Sequence, residues 1–176
     1  MQSSESSLLD LAKVNDAELA ELSAQLLKCN GSRAWVAQML NLRPFLTAEE
    51  LFKQADLVWF ALAREDWLEG FNHHPRIGDL ASLKEKFSLS GKWSKSEQAG
   101  VQEASDQVIR LLKEGNEAYE RKFGHIFIVC ATGKSADEML ALLQARMKND
   151  PARELQIAAA EHAKITRLRL EKLCQQ

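Results

Sequence analysis

The chain has 176 residues, a length that suits one domain with a core large enough to fold without disulfide bonds or metals. Its formal net charge of −2 excludes the broadly basic surface of a nucleic-acid-binding protein. Hydrophobic residues make up 45% and charged residues 27% of the chain, which is the composition of a globular protein and not of a disordered one.

Signals for membrane insertion or export are not found in the sequence. No stretch approaches the roughly 18 consecutive apolar residues of a membrane span, and residues 1–7 lack the features of a signal peptide. The three cysteines, Cys29, Cys130 and Cys174, form an odd set without C-x-x-C spacing, which disfavours a disulfide framework or a zinc site. We therefore expect a cytoplasmic protein that binds neither membranes nor nucleic acid.

Helical periodicity dominates the first part of the chain. Eight glycines and three prolines are too few for the many turns of a β-sandwich or barrel. Apolar residues recur at helical spacing, for example Leu19, Leu22 and Leu26. Helices are predicted over residues 16–27, 32–40 and 47–62, the last opened by a capping box at Thr47–Glu50, with a shorter one around Trp67 and Phe71.

The second part begins with an irregular segment from His73 to Trp93, where proline and glycine interrupt the periodicity and predict mostly loop. Helical spacing returns from Ser94 to Lys122, with a kink or break expected at Gly115 and a stop at Gly124. Residues 125–130 are rich in β-branched and aromatic side chains. Since a single strand would have no partner, we expect a buried extended segment or the start of a helix there.

Two helices close the chain. Ser135–Glu138 is a second capping box, and Asp150-Pro151 supplies a cap and a proline suited to the first helical position. The inward residues predicted for the last helix are Leu155, Ala158, Ile165 and Leu168. The fold class is therefore all-α, a single compact bundle of seven or eight helices in one domain over residues 1–176, with 1–15 as a flexible or loosely packed N-terminus.

Two adjacent histidines, His73 and His74, stand at the start of the irregular segment. Loops carried by a rigid scaffold often hold catalytic groups, but two solvated loop histidines fit the pattern equally well. Basic residues outnumber acidic ones between residues 73 and 98, which mildly favours a small anionic ligand. A metal site built from His73, His74 and Asp79 is weaker, because adjacent side chains diverge.

Three further residues allow both a structural and a functional interpretation. Ser94-x-x-Glu97 is a capping box that needs no function, although a helix N-terminus also binds carboxylate or carbonyl oxygens. Arg169 lies on or beside the apolar face of the last helix, where its partner is a structural carboxylate or an anionic substrate. For His162 we favour a core or rim histidine.

The ordered motifs of the chain strongly resemble those of the 2-oxo-4-hydroxy-4-carboxy-5-ureidoimidazoline (OHCU) decarboxylases, small all-α enzymes of uric acid breakdown, and in particular the bacterial members. Each motif is weak alone, but the set is specific because it runs in order over about residues 35 to 170. The matching landmarks are Trp35, Arg43-Pro44-Phe45, His74-Pro75 with Gly78, Ser94-x-x-Glu97-Gln98, Asn116-x-x-Tyr119, Lys122-Phe123-Gly124, Phe127–Ala131, Lys164-Ile165 and Leu168-Arg169-Leu170. Departures from the commonest family pattern occur at Arg76 and at His125-Ile126.

The resemblance implies a site and a reaction. It implies conversion of the ureidoimidazoline, a small anionic heterocycle, to (S)-allantoin and carbon dioxide, without metal or organic cofactor and in a homodimer. The catalytic residues it implies are His74 as general acid/base, Glu97 as the group that orients the substrate and Arg169 as the source of positive charge. The substrate-binding residues it implies are Pro75, Ser94, Lys95, Ser96, Gln98, Phe127, Ile128, Val129, Cys130 and Ala131.

Two alternatives remain open on the sequence. A non-enzymatic all-α interaction module would leave His73 and His74 solvated and would use Ser94 and Glu97 only as a cap. A metal-dependent hydrolase would instead use His73, His74 and Asp79 as ligands.

Overall fold

The computed structural model describes residues 9–74 and 95–175, with side chains in the helix that starts at Lys95 described from Asp106 onward. Most of the predicted loop, from Pro75 to Trp93, lies outside the described residues. The described residues form eight α-helices and no β-strand, which confirms the predicted all-α fold class. The helices are α1 (Ala12–Asn15), α2 (Leu19–Asn30), α3 (Arg33–Asn41), α4 (Ala48–Ala61), α5 (Arg64–Asn72), α6 (Lys95–Phe123), α7 (Ala136–Arg146) and α8 (Pro151–Gln175).

The described residues divide into two compact units. The first unit holds residues up to His73 and from Ala159 on, and the second holds residues from His74 to Ala158. Among the helices described, none has the length and apolar character needed to cross a bilayer. The single-domain assignment over residues 1–176 stays a prediction.

The core of the first unit is built around tryptophans whose ring nitrogens are all used. The indole N–H of Trp59 donates to the carbonyl of Ala159 at 2.9 Å, and that of Trp67 donates to the carbonyl of Trp59 at 2.8 Å. The Trp35 indole N–H donates to the carbonyl of Ala55 at 3.0 Å. These bonds remove the penalty of burying a polar N–H, so the large rings fix the packing of α3, α4 and α5.

The Arg43-Pro44-Phe45 motif attaches the N-terminal turn to this unit. The Arg43 guanidinium donates to the carbonyls of Val14 and Ala17, each at 3.2 Å. The Asn15 side chain bonds both the carbonyl and the N–H of Phe45, at 2.8 and 2.9 Å. Residues 14–17 and 43–45 therefore hold each other in place.

The second unit packs α6 against α7. A buried cluster fills the space between them, comprising Leu112, Tyr119, Phe123, Phe127, Met139 and Leu143. The sequence had suggested a kink or break at Gly115, but α6 continues through this residue without a break. Gly115 instead allows close packing, because an added Cβ would lie 2.6 Å from Leu143 Cδ2. The predicted stop at Gly124 is confirmed, and its φ of +73° is one that glycine adopts without strain.

Helix starts follow the predicted capping residues. Ser135 and Glu138 form a complete capping box at α7, and Asp150 Oδ1 accepts from the N–H of Arg153 at 3.0 Å at the start of α8. Thr47 caps α4 by accepting from the Glu50 N–H at 3.1 Å. The box predicted there is only half formed, because the Glu50 carboxylate accepts from the Leu46 N–H.

Some buried faces differ from the apolar pattern. Leu19, which is at helical spacing with Leu22 and Leu26, is 59% exposed although those two leucines are buried. On α8, Ala158 is buried as predicted, but Leu155, Ile165 and Leu168 are half-buried. The buried positions of α8 instead include the polar residues Glu154, His162 and Thr166, whose side chains take part in hydrogen bonds that offset the cost of burial.

Replacing Ser135 with Ala should lower the free energy of unfolding by about 1 kcal/mol, because the side-chain oxygen that caps the Glu138 N–H is lost. Chemical denaturation measures the change. Ser135→Asp, which retains a capping oxygen, is the control and should stay close to the wild type. Equal losses in both variants would contradict a capping role.

Candidate active site

The two adjacent histidines lie at the C-terminal end of α5. The His73 N–H donates to the carbonyl of Gly70 at 3.2 Å, which terminates the helix. His73 is exposed, whereas His74 is half-buried. The two adjacent histidines therefore differ in solvent exposure, and only His74 is partly desolvated.

Two glycines bring the end of α2 against the end of α5 within the first unit. Gly31 adopts a φ of +90°, and a Cβ there would lie 2.5 Å from the Cβ of His73. A Cβ on Gly70 would lie 3.0 Å from Trp59 Cη2 and 3.2 Å from the Asn30 carbonyl oxygen. The backbone up to His73 is thus held by close contacts, and the contact at Gly31 leaves no room for a side chain.

Arg169 is half-buried and bonded to backbone within the first unit. Its Nη1 donates to the carbonyls of Lys28 and Cys29, at 3.0 and 3.3 Å. A cation at the last carbonyls of α2 is favourable because they carry the negative end of the helix dipole. These carbonyl partners were not among those predicted. Beside them, burial raises the pKa of the Cys29 thiol to about 11, although the charge of Arg169 opposes the shift.

His162 is a core residue, as the sequence analysis favoured. It is fully buried and stacks on Trp59 with ring centroids 4.3 Å apart. Its Nδ1 lies 3.4 Å from the hydroxyl of Thr166, which accepts from the Asn30 side chain at 3.1 Å. These contacts explain the polar face of α8 in the first unit.

Residues 125–130, predicted to be either a buried extended segment or the start of a helix, are not helical, and four of the six are buried. None of these residues belongs to a helix or a strand, and 125–128 are buried. Phe127 packs into the cluster between α6 and α7, with Val129 and Ala131 packed partly against it. The apolar side chains anchor the segment, so its backbone is held in one conformation.

Polar side chains bond every second carbonyl of this segment. The Ile126 carbonyl lies 3.0 Å from Nδ1 of His125. The Ile128 carbonyl accepts from Arg146 Nη1 at 2.7 Å, and the Cys130 carbonyl accepts from Lys134 Nζ at 2.7 Å. These three contacts hold the backbone in place at residues 126, 128 and 130.

Arg146 belongs to a buried polar network in the second unit. Its Nε donates to Glu154 Oε1 at 2.6 Å, and the Tyr119 hydroxyl donates to the same oxygen. The Asn149 side chain donates to Glu154 Oε2 at 2.7 Å. Glu154 is completely buried and Arg146 is 7% exposed. Burial, followed by the hydrogen bond to the Glu154 carboxylate, raises the pKa of Tyr119 far above its usual value near 10, so the phenol stays protonated.

The sequence analysis did not identify this network. Arg146 is a charged residue at the end of α7, and Glu154 is a charged residue that follows a capping motif. Charged residues at such positions are typical of a protein surface. The available signal was spacing, because Glu154, Ala158 and His162 share one helical face. A carboxylate on a core-facing stripe requires a cation or several donors.

The remaining predicted site residues are described in part or not at all. Glu97 lies in the N-terminal part of α6, in the second unit, as do Lys95, Ser96 and Gln98, but their side chains are outside the described residues. Pro75 and Ser94 are also outside them, as are Arg76 and Asp79. The cap predicted at Ser94 and the metal-site alternative at Asp79 therefore stay predictions.

Comparison with known proteins identifies relatives over nearly the whole chain. A family model described as OHCU decarboxylase matches residues 15–171. The chain is 37% identical over 146 residues to the uric acid degradation bifunctional protein TTL of Arabidopsis thaliana, covering 82% of this chain and 45% of that protein. It is 25% identical over 139 residues to the 2-oxo-4-hydroxy-4-carboxy-5-ureidoimidazoline decarboxylase of Haloferax volcanii, covering 77% and 79%. The chain thus spans less than half the length of the Arabidopsis protein.

Two solved structures are similar in fold. A crystal structure of OHCU decarboxylase in the presence of (S)-allantoin superposes with a TM-score of 0.69 and 35% identity, covering 91% of this chain and 100% of that one. A crystal structure of (S)-allantoin synthase gives a TM-score of 0.64 at 17% identity, covering 94% and 54%. The second likeness concerns the fold alone.

Replacing Gly31 with Ala should destabilise the first unit by more than about 1 kcal/mol, because a side chain at φ +90° is strained and would also meet His73. The fall in melting temperature measures it. Gly133→Ala is the matched control, since Gly133 has a φ of +75° with nothing near its Cβ position. Equal shifts in both variants would show that strain alone, without the contact to His73, accounts for the loss.

Proposed function

The chain belongs to the OHCU decarboxylase family, as its motifs predicted, and we propose that it converts 2-oxo-4-hydroxy-4-carboxy-5-ureidoimidazoline to (S)-allantoin and carbon dioxide. The observation that carries this proposal is the family match over residues 15–171. It is supported by a half-buried His74 just after α5 and by residues 127–131, in which the Ile128 and Cys130 carbonyls accept from Arg146 and Lys134.

The reaction defines what the site must do. When the bond to the carboxylate breaks, its electron pair stays on the ring carbon, where the neighbouring C=N and carbonyl groups delocalise it. A proton must then reach one face of that carbon to give a single enantiomer. The site therefore needs a proton donor, hydrogen-bond donors for the developing negative charge, and groups that fix the ring.

His74 is the proposed proton donor. An imidazole has an ordinary pKa of about 6.5, so a small environmental change makes it an effective acid near neutral pH. Its half-buried position limits exchange with bulk water. His73, which is exposed, has no role in this proposal.

Glu97 and Arg169 are proposed to orient and bind the anionic substrate. Glu97, which lies near the start of α6, would accept from the substrate hydroxyl or ureido N–H groups. Arg169 would contribute positive charge. Since one of its nitrogens already bonds α2 carbonyls, its guanidinium is held in a defined orientation.

The segment 127–131 is proposed to bind the heterocycle through its backbone, together with Pro75, Ser94, Lys95, Ser96 and Gln98. Backbone N–H and carbonyl groups match the alternating donors and acceptors of a ureide ring. The proposed enzyme needs no metal or organic cofactor. We further propose that it is a homodimer located in the cytoplasm.

The activity is tested by generating the unstable substrate in situ and following the circular dichroism of the allantoin formed. Spontaneous decay gives a racemate, so a strong signal of one sign indicates catalysis. The same assay after treatment with a chelator separates this activity from that of a metal-dependent hydrolase. A protein that produces only racemic allantoin would refute the proposal.

Replacing His74 with Asn should lower kcat by about 10²–10⁴, the usual contribution of a general acid. The stereoselective rate in the circular dichroism assay measures the loss. His73→Asn is the matched control and should retain wild-type kinetics, because His73 is exposed. Near-normal turnover by the His74 variant would reject its assignment.

Replacing Arg169 with Lys should raise KM about tenfold or more, because the fork geometry that binds carboxylates is lost. Initial rates over a range of substrate concentration give KM, and thermal melting gives stability. If only the melting temperature falls while KM and kcat stay normal, Arg169 acts solely on the carbonyls of Lys28 and Cys29.

A further inference from the structure

The Ile128–Val129 and Cys130–Ala131 peptide groups each have a cationic side chain bonded to the carbonyl. Arg146 Nη1 bonds the Ile128 carbonyl, and Lys134 Nζ bonds the Cys130 carbonyl, both at 2.7 Å. A trans peptide group is planar and directs its C=O and N–H in opposite directions. Fixing the Ile128 carbonyl therefore also fixes the direction of the Val129 N–H. In the same way, fixing the Cys130 carbonyl fixes the direction of the Ala131 N–H.

The charged donors also change the strength of these N–H groups. A cation bonded to a carbonyl draws electron density through the peptide group, which makes the N–H at its other end a stronger donor. The Arg146 guanidinium is held in the buried network with Glu154 and lies 4.6 Å from the Phe127 ring centroid. Its orientation toward the Ile128 carbonyl is thus determined from several sides.

Stability alone does not account for this network. A buried ion pair is often no more stabilising than apolar residues of the same volume, because both charges lose their hydration. Here the Arg146–Glu154 pair also supplies the charged donor to the Ile128 carbonyl. A network directed at one peptide of a functional segment is better explained by positioning.

We propose that Arg146 and Lys134 are positioning residues that aim and strengthen the N–H groups of Val129 and Ala131 as donors to carbonyl oxygens of the heterocycle. The inference rests on the proposed function, which assigns substrate contact to residues 127–131. These oxygens gain negative charge as carbon dioxide leaves, so donors fixed in advance stabilise the transition state more than the ground state.

The test uses Arg146→Lys and Lys134→Met in the full chain. Arg146→Lys keeps the charge but loses the several-point contact, and we expect kcat to fall about 10- to 100-fold with a smaller change in KM. Lys134→Met removes one cation from the segment, and we expect a fall in kcat of about tenfold. If Arg146→Lys does not fold, the double variant Arg146→Met with Glu154→Gln removes the donor without leaving a buried charge unpaired.

Two control variants separate positioning from stability. Asn149→Ala removes a donor to Glu154 Oε2 in the same network but no contact of Arg146, so the melting temperature should fall with kcat and KM unchanged. Lys148→Met changes an exposed lysine near the end of α7 and should change neither. A readout independent of turnover is the amide NMR signals of Val129 and Ala131, which should shift when (S)-allantoin is added to the wild type and shift less in Arg146→Lys.

The outcomes distinguish the inference from the proposed function. If the wild type gives one enantiomer while Arg146→Lys (or the double variant) and Lys134→Met retain wild-type kcat and KM, positioning is refuted and the decarboxylase proposal stands. If Asn149→Ala lowers kcat as much as Arg146→Lys does, the network acts through stability alone and positioning is again refuted. A wild type that yields only racemate refutes the decarboxylase proposal and this inference with it.

Discussion

The buried pair of Arg146 and Glu154 is the central polar contact of the second unit. Each charge is stabilised by further polar groups, with the Tyr119 hydroxyl and the Asn149 amide on the carboxylate and the Ile128 carbonyl on the guanidinium. A buried ion pair is tolerated only when its remaining hydrogen-bonding capacity is used. The groups bonded in this network come from α6, α7, α8 and residues 125–131. The network therefore connects all four within this unit.

The first unit uses neutral polar contacts for the same purpose. Indole N–H groups bond backbone carbonyls across the core, and the Asn30–Thr166 bond links α2 with the C-terminal part of α8. Gly31 and Gly70 then permit the close approach that fixes the end of α5. The two units thus hold their backbones in place by different chemistry. One places His73 and the residues before it, and the other places residues 126–130.

Several residues of the family motifs have structural roles in this chain. Arg43 and Phe45 hold the N-terminal turn, Tyr119 donates to a buried carboxylate, and Gly124 ends α6. The motif around Arg169 combines both kinds of role, since its guanidinium bonds the end of α2 while its charge is proposed to act on the substrate. A motif that identifies a family therefore does not by itself identify its catalytic residues.

The sequence by itself determined the all-α class, the caps at Ser135 and Asp150, the core position of His162 and the family, because these depend on local spacing and on an ordered set of motifs. The sequence did not indicate that Leu19 is exposed, that α6 continues through Gly115 or that Glu154 is buried. Those outcomes depend on which distant residues approach: the Leu143 side chain at Gly115, and Arg146 at Glu154. Only tertiary structure brings such groups together. A local sequence pattern does not show which distant residue will pair with a buried charge or pack against a glycine.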